Sequence, residues 1–187
     1  MDDPSTKDRI KRAAMQLFVA HGIDAVSLRD IADAVGIKAP SLYAHFKSRE
    51  ALVAEMFLTG YADYGQRLAD AAARPGSFQT KLDGMVRLMC FLHAADEVLF
   101  NFLLLTQHGN LRDVPIAPEH NPVEILCRAV AAGMAAREIP ARDPALIAAA
   151  LMGVIIQAAT FRLYGRLKHN LAGMQDEIVA LALRVVS

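Results

Sequence analysis

The stretch Ser27–Phe46, SLRDIADAVGIKAPSLYAHF, decides the fold. Its apolar residues recur every three or four positions in two short groups, which predicts two short helices. Gly36 lies between the groups, and glycine adopts the positive φ of a tight turn without steric cost. Two short helices joined by such a turn form a helix-turn-helix, a motif that places its second helix in the major groove of DNA.

The two faces of this motif differ in composition. We expect one face to be buried, and its members are Leu28, Ile31, Ala32, Val35, Ile37, Leu42 and Phe46. We expect the other face of the second helix to point outward, with Lys38, Ala39, Pro40, Ser41, Tyr43, His45 and Lys47. Small residues let a helix backbone approach the base edges, and flanking donors bind phosphates. The outward face is therefore typical of a DNA contact surface.

Charge is distributed unevenly along the chain. The formal net charge is +0, which alone argues against a nucleic-acid binder. However, the segment from Thr6 to Arg49 holds eight Lys/Arg against four Asp residues, so it carries about +4. A locally basic end on a neutral protein is sufficient for a short DNA contact surface.

The rest of the chain is also helical by pattern, which predicts an all-α protein of about nine helices. We expect a helix-turn-helix DNA-binding domain over residues 1–47 and a helical domain for ligand sensing and dimerisation over residues 48–187. The expected helices run from Ser5 or Thr6 to His21, from Ser27 to Val35, and over about 39–46, 48–73, 78–94, 96–107, 122–137, 144–165 and 172–186. Gly109–Asn121 is expected to be a loop because it contains glycine, two prolines and little apolar pattern.

One stretch, Pro144–Phe161, is apolar enough to raise the question of a membrane span. It is short for a span of about 20 residues. Asp143 and Pro144 are a good helix N-cap and first-turn residue. We therefore expect a helix that is buried on most sides inside the protein. With no secretory signal pattern after Met1, these features predict a cytoplasmic protein without a membrane partner.

The N-terminal segment resembles the TetR family of bacterial transcriptional regulators. The matching residues are Ile10, Ala13-Ala14, Leu17-Phe18, Gly22, Ser27, Ile31-Ala32, Val35-Gly36, Ser41-Leu42-Tyr43, His45-Phe46 and Ser48–Leu52. The resemblance implies that Ser27 and Arg29 contact phosphate and base, that Lys38, Ala39, Pro40 and Ser41 enter the major groove, and that Tyr43 and Lys47 bind phosphates. His45 is a further candidate contact. In one departure from the family pattern, Lys38 stands where a Ser or Thr helix cap is usual.

The second domain offers candidates for a ligand pocket. Adaptable methionine and aromatic side chains line pockets for apolar ligands, although the same residues are common in an ordinary core. The candidates are Tyr61, Met85, Met89, Phe100, Leu103, Gln107, Gln157 and Phe161. Gln157 stands in a long apolar helix, where it either orients a ligand or bonds its twin across a dimer axis. We expect an apolar or aromatic effector.

The last two predicted helices supply a candidate dimer surface. Small residues in the first of them allow close helix packing, and apolar residues form a stripe on the second. The candidates are Ala149, Met152, Gly153, Ile156, Ile178, Leu181 and Val185. The resemblance implies that these two helices from each subunit form a four-helix bundle, so we expect a homodimer.

No catalytic pattern is visible in the sequence. It contains no Gly-rich phosphate loop, nucleophile elbow or His-Glu-x-x-His motif, so we expect neither enzymatic activity nor a cofactor. Cys90 and His93 have a spacing that suits two metal ligands, and His108 and His120 on or beside the loop could complete the set, but nothing fixes their geometry and no metal site is predicted. Cys90 and Cys127, the only cysteines, are expected to be reduced thiols.

These features together predict a sequence-specific, DNA-binding transcriptional regulator. The resemblance implies a repressor that binds a palindromic operator as a homodimer and is released by a small-molecule ligand, with activation left open. Two other classes remain as alternatives. One is a helical enzyme or transport accessory that binds apolar ligands, and the other is a non-specific DNA binder with strong salt dependence and no preferred palindrome.

Overall fold

The computed structural model describes residues 5–104 and 116–187. Over these residues the secondary structure is helical and no strand is present, which confirms the all-α prediction. The helices are α1 (Thr6–His21), α2 (Leu28–Val35), α3 (Ala39–His45), α4 (Arg49–Ala72), α5 (Phe78–Ala95), α6 (Glu97–Leu104), α7 (Pro122–Ala135), α8 (Pro144–Leu163) and α9 (Gln175–Val185). Two short 3-10 helices occupy Pro118–His120 and Leu171–Met174.

Several helices begin at the capping residues that the sequence predicts. The side chain of Ser5 accepts a hydrogen bond from Asp8 N at 3.2 Å, and that of Asp143 accepts one from Ala145 N at 2.8 Å. These bonds satisfy N–H groups that the first turn of a helix leaves without partners. The last helix begins later than predicted, since the Asn170 side chain accepts from Gly173 N and holds a 3-10 turn before α9.

The chain divides into two compact units, and each unit is built from two separate stretches of sequence. The first unit comprises Met1–Gly60 and Val98–Pro115, and the second comprises Tyr61–Glu97 and Ile116–Ser187. Helices α4 and α6 each contribute residues to both units. The domain boundary after residue 47 therefore stays a prediction about function, because the compact unit around the helix-turn-helix extends further.

The first unit has its core between α1, the helix-turn-helix, the start of α4, and α6. The residues that the sequence predicts as buried in α2 and α3 are buried, except that Val35 and Ile37 are half-buried. The rings of Phe18 in α1 and Phe102 in α6 stack with their centroids 6.2 Å apart. This contact attaches α6 to the helices that carry the helix-turn-helix.

In the second unit α5 packs against α7, α8 and α9. The prediction that α8 is buried on most sides is wrong, since only five of its 20 residues are buried, namely Ile147, Ala148, Leu151, Ile155 and Ala159. From Ala148 onward they recur at three- or four-residue spacing, and Ile147 adjoins the first of them, so a single stripe of α8 faces its neighbours. Among the described helices, α8 alone is long and apolar enough to cross a membrane, by length and composition only.

Arg137 adopts a left-handed conformation after the end of α7, with φ 58°. Its N–H donates to Met134 O at 3.0 Å, and Glu138 N donates to Gly133 O at 2.9 Å, which closes the helix in the manner usually performed by glycine. We expect Arg137→Gly to raise the free energy of unfolding by about 1 kcal/mol, because it removes the steric cost of Cβ in this conformation. Urea unfolding would measure the change. Arg137→Ala is the control, since it removes the charge and keeps the strain, and an equal gain from Ala would contradict this explanation.

Candidate DNA-binding surface

A capping box fixes the start of α2. The Ser27 hydroxyl accepts from Asp30 N at 3.2 Å and donates to Asp30 Oδ2 at 2.7 Å, while Ser27 N donates to the same oxygen at 2.8 Å. These bonds hold the pKa of Asp30 below its ordinary value. Both donors of Ser27 are thus used within α2, which leaves exposed Arg29 as the residue at this helix start with donors for phosphate.

The start of α3 has a different construction. Lys38 takes the N-cap position in an extended conformation and makes no side-chain cap bond, as the sequence predicts for a lysine. Pro40 lies in the first turn, where its missing N–H is not needed. The side chain of Leu42 is fully buried, so it anchors α3 to the core of the first unit.

The outward face of α3 is accessible as predicted. Ala39 is half-buried, and the exposed predicted contacts are Lys38, Pro40, Ser41, Tyr43, His45 and Lys47. Tyr43 is 55% exposed, although an aromatic ring gains by burial. An exposed tyrosine beside exposed cations leaves both a ring and a hydroxyl available to a partner.

Several basic residues of the N-terminal segment make contacts that stabilise the fold. Lys7 and Lys11 each place Nζ 2.8 Å from Glu55 Oε1, and Lys7 also lies 5.3 Å from the centre of the Phe46 ring. Arg9 donates to Val35 O at 2.9 Å, at the end of α2. These contacts connect α1 with α2 and with α4.

Arg49, the first residue of α4, fastens the loop between α1 and α2. Its Nη1 donates to Ile23 O at 3.1 Å and to Asp24 O at 3.0 Å, and its Nη2 lies 3.3 Å from Asp24 Oδ1. The start of α4 is therefore bonded to the loop that leads into α2. Contacts of Arg49 and Glu55 hold the first turns of α4 on the loop that leads into α2 and on α1.

The remaining cations define the candidate site. Arg29, Lys38 and Lys47 are exposed, and within 5–104 and 116–187 none of them forms an ion pair. Asp33, four residues after Arg29 in α2, is a possible partner for it, but the described structure shows no ion pair between them. Between Thr6 and Arg49, the described cations without an internal partner are thus those that lie on or beside the helix-turn-helix, which is the arrangement that phosphate contacts require.

Acid should weaken the first unit through Glu55. Hydrogen bonds from Lys11 and Lys7 hold the pKa of Glu55 below its ordinary value. A carboxyl group with a depressed pKa in the folded chain contributes stability above its unfolded pKa, and loses it as the pH falls through the folded pKa. We expect thermal melting curves to shift to lower temperature below about pH 4.5, and to shift less in Glu55→Gln. An acid shift of equal size in both proteins would contradict the role of Glu55.

The structure distributes the predicted ligand residues over both units. Tyr61, Met85 and Met89 belong to the second unit, whereas Phe100 and Leu103 are buried in the first. Gln107 lies outside the described residues. Their joint role in one pocket stays a prediction.

Two of the predicted ligand residues require a correction. Gln157 and Phe161 are exposed on α8, so they do not line the interior of the second unit. The reason is that α8 uses another stripe for its packing. Gln157 instead shares an exposed face of α8 with Leu146, Ala149 and Gly153, which recur at three- or four-residue spacing.

This exposed face contains part of the predicted dimer surface. Ala149, Gly153 and Leu181 are exposed, and Met152, Ile156 and Val185 are half-buried. Ile178 requires a correction, because it is buried within the second unit together with Val179 and Ala182. The outward residue of the α9 stripe is Leu181, which is 51% exposed.

His93 is a buried polar residue that the sequence suggested only through its spacing from Cys90. It is 1% exposed, and burial lowers its pKa, while Glu97, whose Oε1 lies 4.0 Å from Nδ1, opposes that shift. Burial also raises the pKa of the Cys90 thiol to about 11, which makes it a poor nucleophile. Within the described ranges no three His, Cys, Asp or Glu side chains are grouped as metal ligands.

Comparison with known proteins identifies the helix-turn-helix segment. The family model of bacterial regulatory proteins, tetR family, matches residues 10–56, which include α1, α2, α3 and the start of α4. Residues 10–56 therefore carry the segment that this family model describes, which agrees with the resemblance seen in the sequence. A curated relative, the HTH-type transcriptional repressor KstR2 of Mycolicibacterium smegmatis, is 39% identical over 74 residues. The match covers 38% of this chain and 36% of that repressor, so the chain spans about a third of that relative's length.

Solved structures extend the similarity in fold beyond the matched segment. A bacterial regulatory protein in the tetR family from Rhodococcus RHA1 has a TM-score of 0.79 at 22% identity, covering 99% of this chain and 98% of that chain. The transcriptional regulator FadR from Bacillus subtilis, in complex with stearoyl-CoA, has a TM-score of 0.74 at 20% identity, covering 96% and 97%. At such identities these matches establish that the helical fold downstream of the helix-turn-helix is also that of TetR-family proteins.

Proposed function

We propose that this chain is a sequence-specific transcriptional repressor of the TetR family that a small molecule releases from its operator. The observation that carries the proposal is the surface of the helix-turn-helix. Its apolar face is packed against the core. A capping box begins α2, and a proline in the first turn begins α3. Its exposed face presents Tyr43 with Arg29, Lys38 and Lys47. Small residues at the start of α3 leave its backbone accessible to base edges.

A homodimer is the form that we propose binds DNA. One helix-turn-helix reads only a few base pairs, so useful affinity needs two, about one helical turn of DNA apart. The exposed apolar face of α8, with Leu181 of α9, supports pairing between two copies. A second copy would cover this face, and Gln157 would then lie near its twin.

We place the effector in the second unit. The relative KstR2 is a repressor, and the FadR structure was solved with stearoyl-CoA, which together support a regulator that responds to a small organic ligand. Because α4 and α6 contribute residues to both units, a ligand that shifts either helix can reposition α3. A coupling free energy of about 1–3 kcal/mol would change operator affinity about 5- to 150-fold. The family and the fold favour a cytoplasmic protein without catalytic activity.

Selection of binding sites from random DNA duplexes at physiological salt tests the proposal. Enrichment of a palindrome with two half-sites is the expected result. If all duplexes bind with similar affinity and a steep salt dependence, the protein is a non-specific DNA binder and the proposed repressor function is wrong. No binding by a folded dimer would overturn it.

Contact residues can be tested on the selected operator. We expect Lys38→Ala and Tyr43→Phe each to weaken binding about tenfold or more, because each removes two contacts from a dimer. Lys38→Ala should also reduce the slope of log affinity against log salt by about 2 if both lysines bind phosphate. Fluorescence anisotropy with a labelled duplex would measure both quantities.

The matched controls are Lys168→Ala and Tyr164→Phe, which make the same changes at exposed positions of the second unit. Both should leave operator affinity unchanged. If the control variants weaken operator binding as much as Lys38→Ala and Tyr43→Phe do, the proposed DNA contacts are wrong.

A further inference from the structure

A groove opens on the surface of the second unit between α4, α5 and α7. Its volume is about 460 Å³, within the range of sites that bind small molecules. It is lined by Ala69, Ala72, Ala73, Phe78, Lys81, Ile125, Arg128, Ala129, Ala132, Gly133, Ala136 and Glu138. None of these residues was among the sequence-predicted ligand contacts.

The shape of the groove follows from its side chains. Alanines at the end of α4 and along α7, with one just beyond the end of each helix, form the two walls, and because their side chains end at Cβ a slot is left between them. Phe78 and Ile125, both buried, form an apolar floor. Methyl walls and an apolar floor suit the alkyl chain or flat ring of a ligand.

The charges at the groove favour an anion. Arg128 Nη2 donates to Pro118 O at 2.9 Å, which holds its guanidinium near the groove without neutralising it. Lys81 forms no ion pair with any residue that the structure describes. Two cations therefore line the slot, and neither is paired with a carboxylate of the residues described.

Glu138 is the one acidic residue of the lining, and its charge is already compensated. Its Oε2 accepts from Phe78 N at 2.6 Å, at the first residue of α5. The positive end of the helix dipole stabilises a carboxylate in this position. The charge left for a ligand is thus positive.

We propose that this groove binds a single-chain amphipathic anion, with the alkyl or aryl chain between the alanine walls and the carboxylate or phosphate at Lys81. Binding itself is independent of DNA, whereas the role of the groove as the effector site rests on the proposed function.

Titration of the full chain with sodium decanoate, followed by calorimetry, tests the proposal. Ala132→Trp fills the slot and should weaken decanoate binding at least about tenfold. Ala131→Trp is the matched control, because Ala131 is the exposed neighbour on α7 and is not part of the lining. It should bind decanoate as the parent protein does.

A second pair of variants tests the charge. The parent protein should prefer decanoate to 1-decanol, and Lys81→Gln should reduce that preference about tenfold. Lys168→Gln, the same change at an exposed site outside the groove, should leave it unchanged.

Three outcomes would overturn the inference. They are an absence of decanoate binding, equal binding by Ala132→Trp and Ala131→Trp, and a lower mass of Ala132→Trp in sedimentation, which would make the groove an interface between copies. The site-selection experiment separates this inference from the function. If an operator is selected but decanoate does not bind, only the proposed anion site is refuted. If decanoate binds but no operator is selected, the repressor function is refuted and the anion site stands.

Discussion

Gly153→Glu should convert the proposed dimer into a monomer and lower operator affinity about 100-fold or more, because the advantage of two linked half-sites is lost. Gly153 lies in the middle of the exposed apolar face of α8, and a Cβ added there meets nothing within 4 Å in the chain itself. A carboxylate at this position has no cost in the single chain. In a close pairing of two helices it would be buried beside its twin, which is strongly unfavourable. Sedimentation and fluorescence anisotropy would measure the two effects.

Gly84→Glu is the matched control. Gly84 is also a helical glycine with nothing within 4 Å of an added Cβ, but it lies on α5 and not on the exposed face of α8. It should leave both mass and operator affinity unchanged. A dimeric Gly153→Glu protein with full operator affinity would show that copies pair through another surface.

Gly65→Ala should lower the free energy of unfolding by about 3 kcal/mol, because the new methyl group collides with backbone atoms. In α4 an added Cβ would lie against the carbonyl oxygen and carbon of His120, in the 3-10 helix Pro118–His120. A flexible side chain could move away at small cost, whereas this backbone is fixed by its own turn and by the cap of α7. The prediction can be measured by urea unfolding of the two proteins.

Gly84→Ala provides the comparison for this substitution. It adds the same methyl group to a helix where nothing is in the way, so it should raise stability by up to about 1 kcal/mol through helix propensity alone. A stability of Gly65→Ala equal to that of Gly84→Ala would mean that the 3-10 segment moves away from α4 easily.

The parts of the fold that could be predicted from sequence are those with local causes. Ser5, Ser27 and Asp143 cap helices through bonds to residues two or three positions away, so the signal is contained in a short segment. Gly36 has φ 75° and ends α2 as expected from the turn that it has to make. Apolar spacing likewise identified the buried face of the helix-turn-helix.

The features that could not be predicted from the sequence depend on residues that are distant in the chain, or on a second copy of it. Apolar spacing shows that a residue prefers burial, but it does not show whether its own chain or a second copy provides the cover. For this reason α8 was expected to be buried within the protein, and Gln157 and Phe161 were assigned to a pocket. The pairing of Lys7 and Lys11 with Glu55 joins α1 to α4 across more than forty residues, and no local pattern announces it. The alanine-walled groove similarly arises only when the folded chain brings the end of α4, the start of α5 and α7 around one space.

The contacts of Arg49, Glu55 and Phe102 determine how this chain can be recombined with its relatives. A chimera joined after residue 47 would bring a new helix-turn-helix without the Arg49 that holds its loop and the Glu55 that receives its lysines. A junction after Gly60 would retain both residues. The ring of Phe102 would still have to match the ring of Phe18, although more than eighty residues separate them. Exchange of operator specificity between such proteins therefore requires the transfer of two separate pieces of chain.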